Sequence, residues 1–295
     1  MNSPKVKILY FTDPYCSWCW ATEPMLFALK EHYGDQIDIQ HVMGGLVKDM
    51  STFSDGHNHI STAAAVVPHW RMVSERSGQP IDENLWLDIE RYPHFSTWPA
   101  NVAAKAAGFQ GKEIGEQFLR RIRRAALTER KIISHEEILL ELAKDVEGMD
   151  LEKFKKDLNS PQAQQAFQDD LDLCRTYGVT GFPSMLFYTE NTASAEASES
   201  ATSDSADAPQ AYLLNGYKTM RSYEKALKLL SPGIQKRALK SVESLLASYG
   251  PLTTREFSEI FETEMAEMET LLQEKTNAGK TGAEALRGGT LWFLL

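Results

Sequence analysis

Two thiols two residues apart, Cys16-Ser17-Trp18-Cys19, follow the short apolar run Val6-Lys7-Ile8-Leu9-Tyr10-Phe11 and open a helix-like stretch that continues from Glu23 to Tyr33. No other feature of the chain restricts its fold as tightly. A CxxC at the end of a strand and the start of a helix forms a redox centre. The first thiol sits where unpaired backbone N–H groups and the helix dipole favour an anion. The second lies one turn further in, close enough to close a disulfide. A free thiol titrates near pH 8.5, and thiols in such motifs fall to roughly 3.5–7. A helix terminus supplies up to about 2 kcal/mol, enough to bring Cys16 near half ionisation at neutral pH. The Ser17-Trp18 dipeptide adds no cation, so a moderately depressed Cys16 pKa is expected.

The rest of the chain arranges itself around that motif. Residues 5–11 read as a buried strand and 16–33 as a helix. Ile37-Asp38-Ile39-Gln40 alternates and His41-Val42-Met43 extends it, giving a second strand parallel to the first. From about Ile60 to Tyr177 the helical period dominates. Phe118, Leu119, Ile122 and Ala126 share a face. Ser134 and Glu137 form a capping-box pattern ahead of Ile138, Leu139, Leu142 and Val146, and Ser160-Pro161 starts a helix carrying Phe167, Leu171 and Cys174. Strand character returns in Ser184–Tyr188 and Ala211–Leu214, which read as a hairpin. Between them Thr192–Pro209, rich in Ser, Ala, Asp and Glu, predicts a disordered loop at 190–210. A helix follows over Ser222–Leu230. The expected fold class is therefore α/β: a thioredoxin-like unit formed by 1–48 and 178–232, interrupted by a helical insertion over 49–177.

Length and charge bound the remaining choices. The 295 residues suffice for a large core and more than one domain, and a net charge of −10 argues against a nucleic-acid-binding face. No run of eighteen apolar residues is present, which predicts no membrane-spanning helix. The N-terminal apolar run is short and ends at Asp13-Pro14, unlike a signal peptide. Three cysteines do not make a disulfide-stapled secreted protein. A cytoplasmic location is expected, where a CxxC is catalytic or redox-responsive.

Thr12-Asp13-Pro14-Tyr15-Cys16-Ser17-Trp18-Cys19-Trp20, then Glu23-Pro24, Gly44-Gly45-Leu46, the alanine-rich start Trp98-Pro99-Ala100, and Gly178-Val179-Thr180-Gly181-Phe182-Pro183-Ser184 together carry a resemblance. Over residues 5–230 the chain resembles the DsbA family of thioredoxin-fold proteins, in the branch of FrnE-like cytoplasmic thiol–disulfide oxidoreductases. The resemblance implies that Pro183 is cis and faces the dithiol, and that Phe182 offers backbone groups to an extended substrate. Thr180 and Trp18 are the further substrate-binding candidates, and Cys16 and Cys19 the catalytic ones. Two departures stand out. Trp18 occupies a place where strongly oxidising relatives often carry His, and no secretory leader is evident. Both point away from a periplasmic oxidant.

Other candidates carry less. Cys174 shares a helix face with Phe167 and Leu171 and reads as a core thiol. His57-Asn58-His59 lacks the ligands that complete a zinc site, so no metal is expected. Arg120, Arg121, Arg123 and Arg124 read as a solvated helix face. Residues 234–295 predict a helix over Lys236–Tyr249, a capping box at Thr253 and Glu256 before Phe257, Ile260 and Phe261, a third helix through Met265, Met268, Leu271 and Leu272, and a terminal hairpin turning at Gly288-Gly289. This resembles a small winged-helix-like α+β module. Its acidic third helix disfavours DNA, so an interaction or self-association role is expected.

The expected activity is thiol–disulfide exchange on proteins that carry thiols or disulfides. Cys16 attacks, Cys19 resolves, and a cellular thiol reductant (glutathione or the thioredoxin system) supplies electrons, with no organic cofactor. Two alternatives stand beside it. One is an adaptor that presents a regulator to a protease, with the CxxC as redox sensor. The other is a glutathione-dependent transferase or isomerase. Redox direction and oligomeric state are not set by the sequence.

Overall fold

The N-terminal apolar run forms strand β1 (Val6–Thr12), and the CxxC opens helix α1 (Ser17–Tyr33), which a 3-10 turn joins to β2 (Ile37–Met43). The structure is a computed structural model that describes residues 5–56, 58–190 and 211–295. A helical block follows: α2 (Val66–Ser77), α3 (Leu85–Ile89), α4 (Trp98–Gly108), α5 (Lys112–Glu129), α6 (Glu136–Ala143), α7 (Leu151–Leu158) and α8 (Pro161–Thr176). The chain then returns to the sheet with β3 (Ser184–Tyr188), β4 (Tyr212–Asn215) and α9 (Met220–Leu230). The loop expected at 190–210 lies, from residue 191, outside the described residues.

The four strands form one sheet in the order β2-β1-β3-β4. β1 runs parallel to β2, with Val6 opposite Ile37, and antiparallel to β3, with Ile8 opposite Phe187. A parallel neighbour on one side and a hairpin neighbour on the other is the thioredoxin-like order. It places the C-terminal end of β1, where the dithiol begins, beside the start of β3. In the helical block, the alanine-rich α4 lies close against α5. A Cβ on Gly115 would stand 2.9 Å from the Gly108 Cα, so these two helices meet backbone to backbone where side chains are smallest.

The C-terminal residues form α10 (Val242–Tyr249), β5 (Leu252–Thr253), α11 (Thr254–Phe261), α12 (Met265–Asn277), β6 (Thr281–Leu286) and β7 (Gly289–Leu294). They join a three-stranded sheet, in the order β5-β7-β6, to three helices in a helix–strand–helix–helix–hairpin succession. The capping box at Thr253 and Glu256 is formed as the sequence predicts. The terminal turn is at Arg287-Gly288, one residue before the expected position, because Leu286 pairs with Gly289.

This module is not a free appendage. Every residue of α1 except Trp18 and Lys30 is buried. One face of the helix meets the sheet, and Phe257, Ile260, Leu272 and Trp292 of the module share a hydrophobic cluster with Met25, Leu26 and Leu29 of α1. A helix buried on all sides needs apolar or paired residues all round. Here the module supplies the second wall.

Two local expectations fail for tertiary reasons. The helix predicted from Lys236 begins only at Val242, capped by the Ser241 hydroxyl. Residues 236–240 instead cross the end of α1. The Arg237 backbone N–H donates to the His32 carbonyl at 2.8 Å, and its guanidinium donates to the carbonyls of Glu31 and Lys30. The Lys30 carbonyl also receives the Gly34 N–H, but those of Glu31 and His32 lie past that last helical bond, and capping them outweighs five more helical residues. At the start of α6 the Ser134 hydroxyl does not cap. It donates to the Ser96 carbonyl and accepts from the Tyr15 hydroxyl, under the dithiol turn.

Candidate functional site

Asp13-Pro14-Tyr15 turns the chain from β1 into α1. The turn is fixed by one buried carboxylate. Asp13 accepts from the backbone N–H groups of Tyr15 and Leu46, each at 2.8 Å, from the Thr97 hydroxyl at 2.9 Å and from the Asn101 amide at 2.7 Å. It thereby ties the dithiol turn to the Gly44–Leu46 loop and to α4. Cys16 is the N-cap of α1, and its sulfur accepts from the Cys19 backbone N–H at 3.1 Å. Cys19 is wholly buried one turn on, its carbonyl bonded by the Tyr10 hydroxyl at 3.2 Å.

The loop before β3 approaches from the other half of the sheet. The Phe182–Pro183 peptide is cis, and the Cys16 thiol donates to the Phe182 carbonyl at 3.6 Å. Gly44 makes this possible: a Cβ there would stand 1.9 Å from the Phe182 ring, so glycine leaves the space the ring fills. Cys16, Trp18, Thr180 and Phe182 line one open groove of about 460 Å³, walled by Leu46 and Trp70. Trp18 is half-buried there, its ring 5.2 Å from Tyr217 and 6.5 Å from His69. Thus Cys16, Cys19, Trp18, Thr180, Phe182 and Pro183 are brought together as the sequence reading expects, with Trp20 turned inward beneath them.

Below the dithiol lies a charge network that the sequence reading missed. The arginine run on α5 is not a solvated face. Arg123 is wholly buried, donating to Glu23 on α1 and, at 2.6 Å, to the Thr12 hydroxyl. Arg120 stacks on the Trp20 ring at 4.4 Å, lies 3.6 Å from Glu23 and meets both oxygens of Glu256 on α11 at 2.8 Å. Arg121 and Arg124 pair with Glu129 nearer the surface. A signal was present in Glu23-Pro24. Proline inside a helix leaves the carbonyl four residues back without its donor. That carbonyl, on Trp20, is met by the buried Gln79 amide, which also bonds Glu256 and Thr253. One helical defect thus recruits a side chain that joins α1 to the C-terminal module.

These surroundings set the titration of the thiols. Burial pushes Cys16 well above the ordinary thiol value, and its hydrogen bond to Cys19 and the charge there add to that. Burial also works against ionising Cys19. It is outweighed by the hydrogen bond from Cys16, the Arg123 charge and the Thr12 hydroxyl, and Cys19 falls below the ordinary value. This reverses the expectation from sequence. The helix terminus acts on Cys16 as predicted, but Cys16 is only 5% exposed and the nearby cation stands behind Cys19. Losing water costs the Cys16 thiolate more than the dipole returns.

The remaining candidates lie apart. Cys174 is buried on α8 in a separate cluster with Phe11 and Leu186, and burial raises it to about 11. His57 lies outside the described residues, and His59 is exposed. No helix among the described residues is long and apolar enough to cross a membrane.

Comparison with known proteins bears on the whole chain. The family described as thioredoxin matches residues 9–204. The ClpXP adapter protein SpxH of Halalkalibacterium halodurans is 25% identical over 291 residues, covering 98% of this chain and 89% of that protein. The protein of the same name from Bacillus subtilis is 32% identical over 183 residues, 62% of this chain and 58% of that one. Among solved structures, a putative protein disulfide isomerase from Nitrosomonas europaea aligns with TM-score 0.57 and 23% identity over 77% of this chain and 95% of its own. The cytosolic disulfide reductase DsbM from Pseudomonas aeruginosa aligns with TM-score 0.53 and 22% identity over 76% and 96%. At these identities the two structures establish a shared thioredoxin-like, DsbA-like fold.

Proposed function

The chain belongs to the thioredoxin family, and we propose that within it this protein is a cytoplasmic adapter that delivers a partner protein to a ClpXP protease. Its Cys16–Cys19 pair serves as a redox-responsive element of the binding surface. One observation carries the reading. Similarity to a curated adapter runs through 98% of the chain, past residue 204 where the family match ends and into the C-terminal module. That module is packed on the helix that bears the dithiol. The site agrees with a binding role. Cys16 is only 5% exposed, and its burial opposes formation of the attacking thiolate.

An adapter accelerates proteolysis by raising the local concentration of its client. Tethering of this kind is worth orders of magnitude without new chemistry. The test supplies purified ClpXP with proteins that co-purify with the full chain, with and without the chain present. The reading expects at least one client whose degradation rises by about tenfold or more. It fails if no client is accelerated.

The second reading, protein thiol–disulfide exchange with glutathione or the thioredoxin system as reductant, is favoured by the placement of Cys16 at the N-cap, Cys19 one turn on, and the cis Phe182–Pro183 loop against the thiol. Multiple-turnover reduction of insulin disulfides by the full chain would support it. In either reading Trp18, Thr180 and Phe182 contact the bound protein.

A further inference from the structure

Away from the dithiol, the far end of α1 carries a cluster that neither reading uses. His32, in the last turn of α1, is only 2% exposed. Its Nε2 lies 2.8 Å from the Ile260 carbonyl of α11, and its Nδ1 has no hydrogen-bond partner among the described residues. A carbonyl only accepts, so this contact fixes the proton on Nε2 and leaves the lone pair on Nδ1. A buried acceptor without a donor is destabilising, because the hydration it gave up is not replaced. Beside it stand two carboxylates, Glu224 from α9 and Glu262 from the end of α11. One ligand atom from each of His32, Glu224 and Glu262 lies within 4.8 Å of the others. Glu224 also accepts from the Tyr33 hydroxyl at 3.1 Å. Glu262 is held in the left-handed conformation, φ 52°, at the C-cap of α11.

The Lys236 ammonium bridges the two carboxylates, 2.9 Å from Glu224 and in contact with Glu262. It is a tethered monovalent cation on the irregular strap that crosses the end of α1, and it leaves the imidazole lone pair unused. A histidine that donates one ring N–H to a backbone carbonyl while its other nitrogen is free has the orientation of a metal-bound imidazole.

We propose that His32 Nδ1, Glu224 and Glu262 form a binding site for a zinc-class divalent cation, which takes the place of the Lys236 ammonium. One imidazole and two carboxylates suit Zn²⁺ rather than the all-oxygen coordination that Mg²⁺ and Ca²⁺ require. With Zn²⁺ the two carboxylates are fully neutralised, where a single ammonium leaves one negative charge. Lys236, at 38% side-chain exposure, turns out to solvent. The ion would clasp the dithiol helix α1, α9 and α11 at one point, fixing the module that the adapter reading relies on. The site itself does not depend on that reading.

The test uses the full chain in a Cys16→Ser/Cys19→Ser background, because the dithiol is itself a zinc ligand. After chelator treatment the protein is titrated with Zn²⁺ alone against a chromophoric competitor, and with Co²⁺ alone for its visible spectrum. One Zn²⁺ per chain is expected. The Co²⁺ spectrum should show d–d bands without thiolate charge transfer. Glu262→Gln, at a mostly exposed position, weakens Zn²⁺ binding by at least about tenfold. Lys236→Met, which removes the internal competitor, tightens it by up to about fivefold, the worth of a partly exposed ion pair. Absence of stoichiometric binding, or affinity unchanged in both variants, overturns the proposal.

Discussion

Arg123→Met removes a charge from the floor of the dithiol site while nearly keeping its volume. Arg123 is wholly buried, and its guanidinium serves Glu23 and Thr12. Breaking a buried pair from one side costs about 3–5 kcal/mol, because the surviving charge is stranded out of water. Glu23 would retain Arg120 at 3.6 Å, which places the expected loss at the low end, about 3 kcal/mol. Against a total stability of about 5–15 kcal/mol that is a large fraction. With a urea m-value of about 3 kcal/mol/M for a chain of this size, the unfolding midpoint falls by about 1 M. Urea titration followed by tryptophan fluorescence reads it directly. The double variant Glu23→Gln/Arg123→Met leaves no stranded charge and should recover at least about half of the loss. A midpoint shift below about 0.3 M for the single variant, or a double variant no more stable than Arg123→Met, would refute the argument that these charges are paired in the core.

Three further outcomes follow from the same contacts. Burial alone would raise Glu83, but the guanidiniums of Arg287 and Arg71 overcome it and hold the carboxyl at about 2. A depressed carboxyl stabilises the fold above its unfolded value of 4.5, and that contribution disappears as pH falls from there toward 2. Wild-type protein should therefore lose stability between pH 5 and 3 more steeply than Glu83→Gln, and parallel curves would contradict this. Alkylation of native Cys16 should follow a titration with its midpoint above about 8.5, the free-thiol value; a midpoint near 6 would show that the helix terminus outweighs burial. Cys174, at about 11, should stay unlabelled in the folded protein at pH 8 and react on unfolding, so rapid native labelling would place it elsewhere than on the buried face of α8.

Much of this site was legible in the residues. Cys16 to Cys19, the β1–α1–β2 order, Phe182-Pro183 and the β3–β4 hairpin are local patterns whose periods and turn residues announce themselves. The Thr253–Glu256 capping box is equally local, and it forms as read. What escaped was long-range pairing. Arg123 looks like a surface residue beside Arg120, Arg121 and Arg124 until Glu23, a hundred residues earlier, is placed against it. The irregular path of 236–240 depends on carbonyls of α1 that need partners, which no window around Lys236 reveals. The Cys16 expectation failed similarly: the dipole is a property of the local helix, whereas burial under Phe182 and the cation behind Cys19 are tertiary. His32 lies about two hundred residues before Glu224 and Glu262, and the three meet only because α9 and α11 both pack beside the end of α1.

The central claim is that the dithiol belongs to a surface for delivering a protein rather than to a turnover enzyme. The most direct test measures client degradation by ClpXP under reducing conditions, with the wild-type chain and with Cys16→Ser/Cys19→Ser. The account predicts rates equal within about twofold, the effect of the roughly 0.5 kcal/mol typical of substitutions that leave binding contacts intact, with slowing by diamide only in the wild type. A double variant that falls to the rate seen with no adapter present would contradict it.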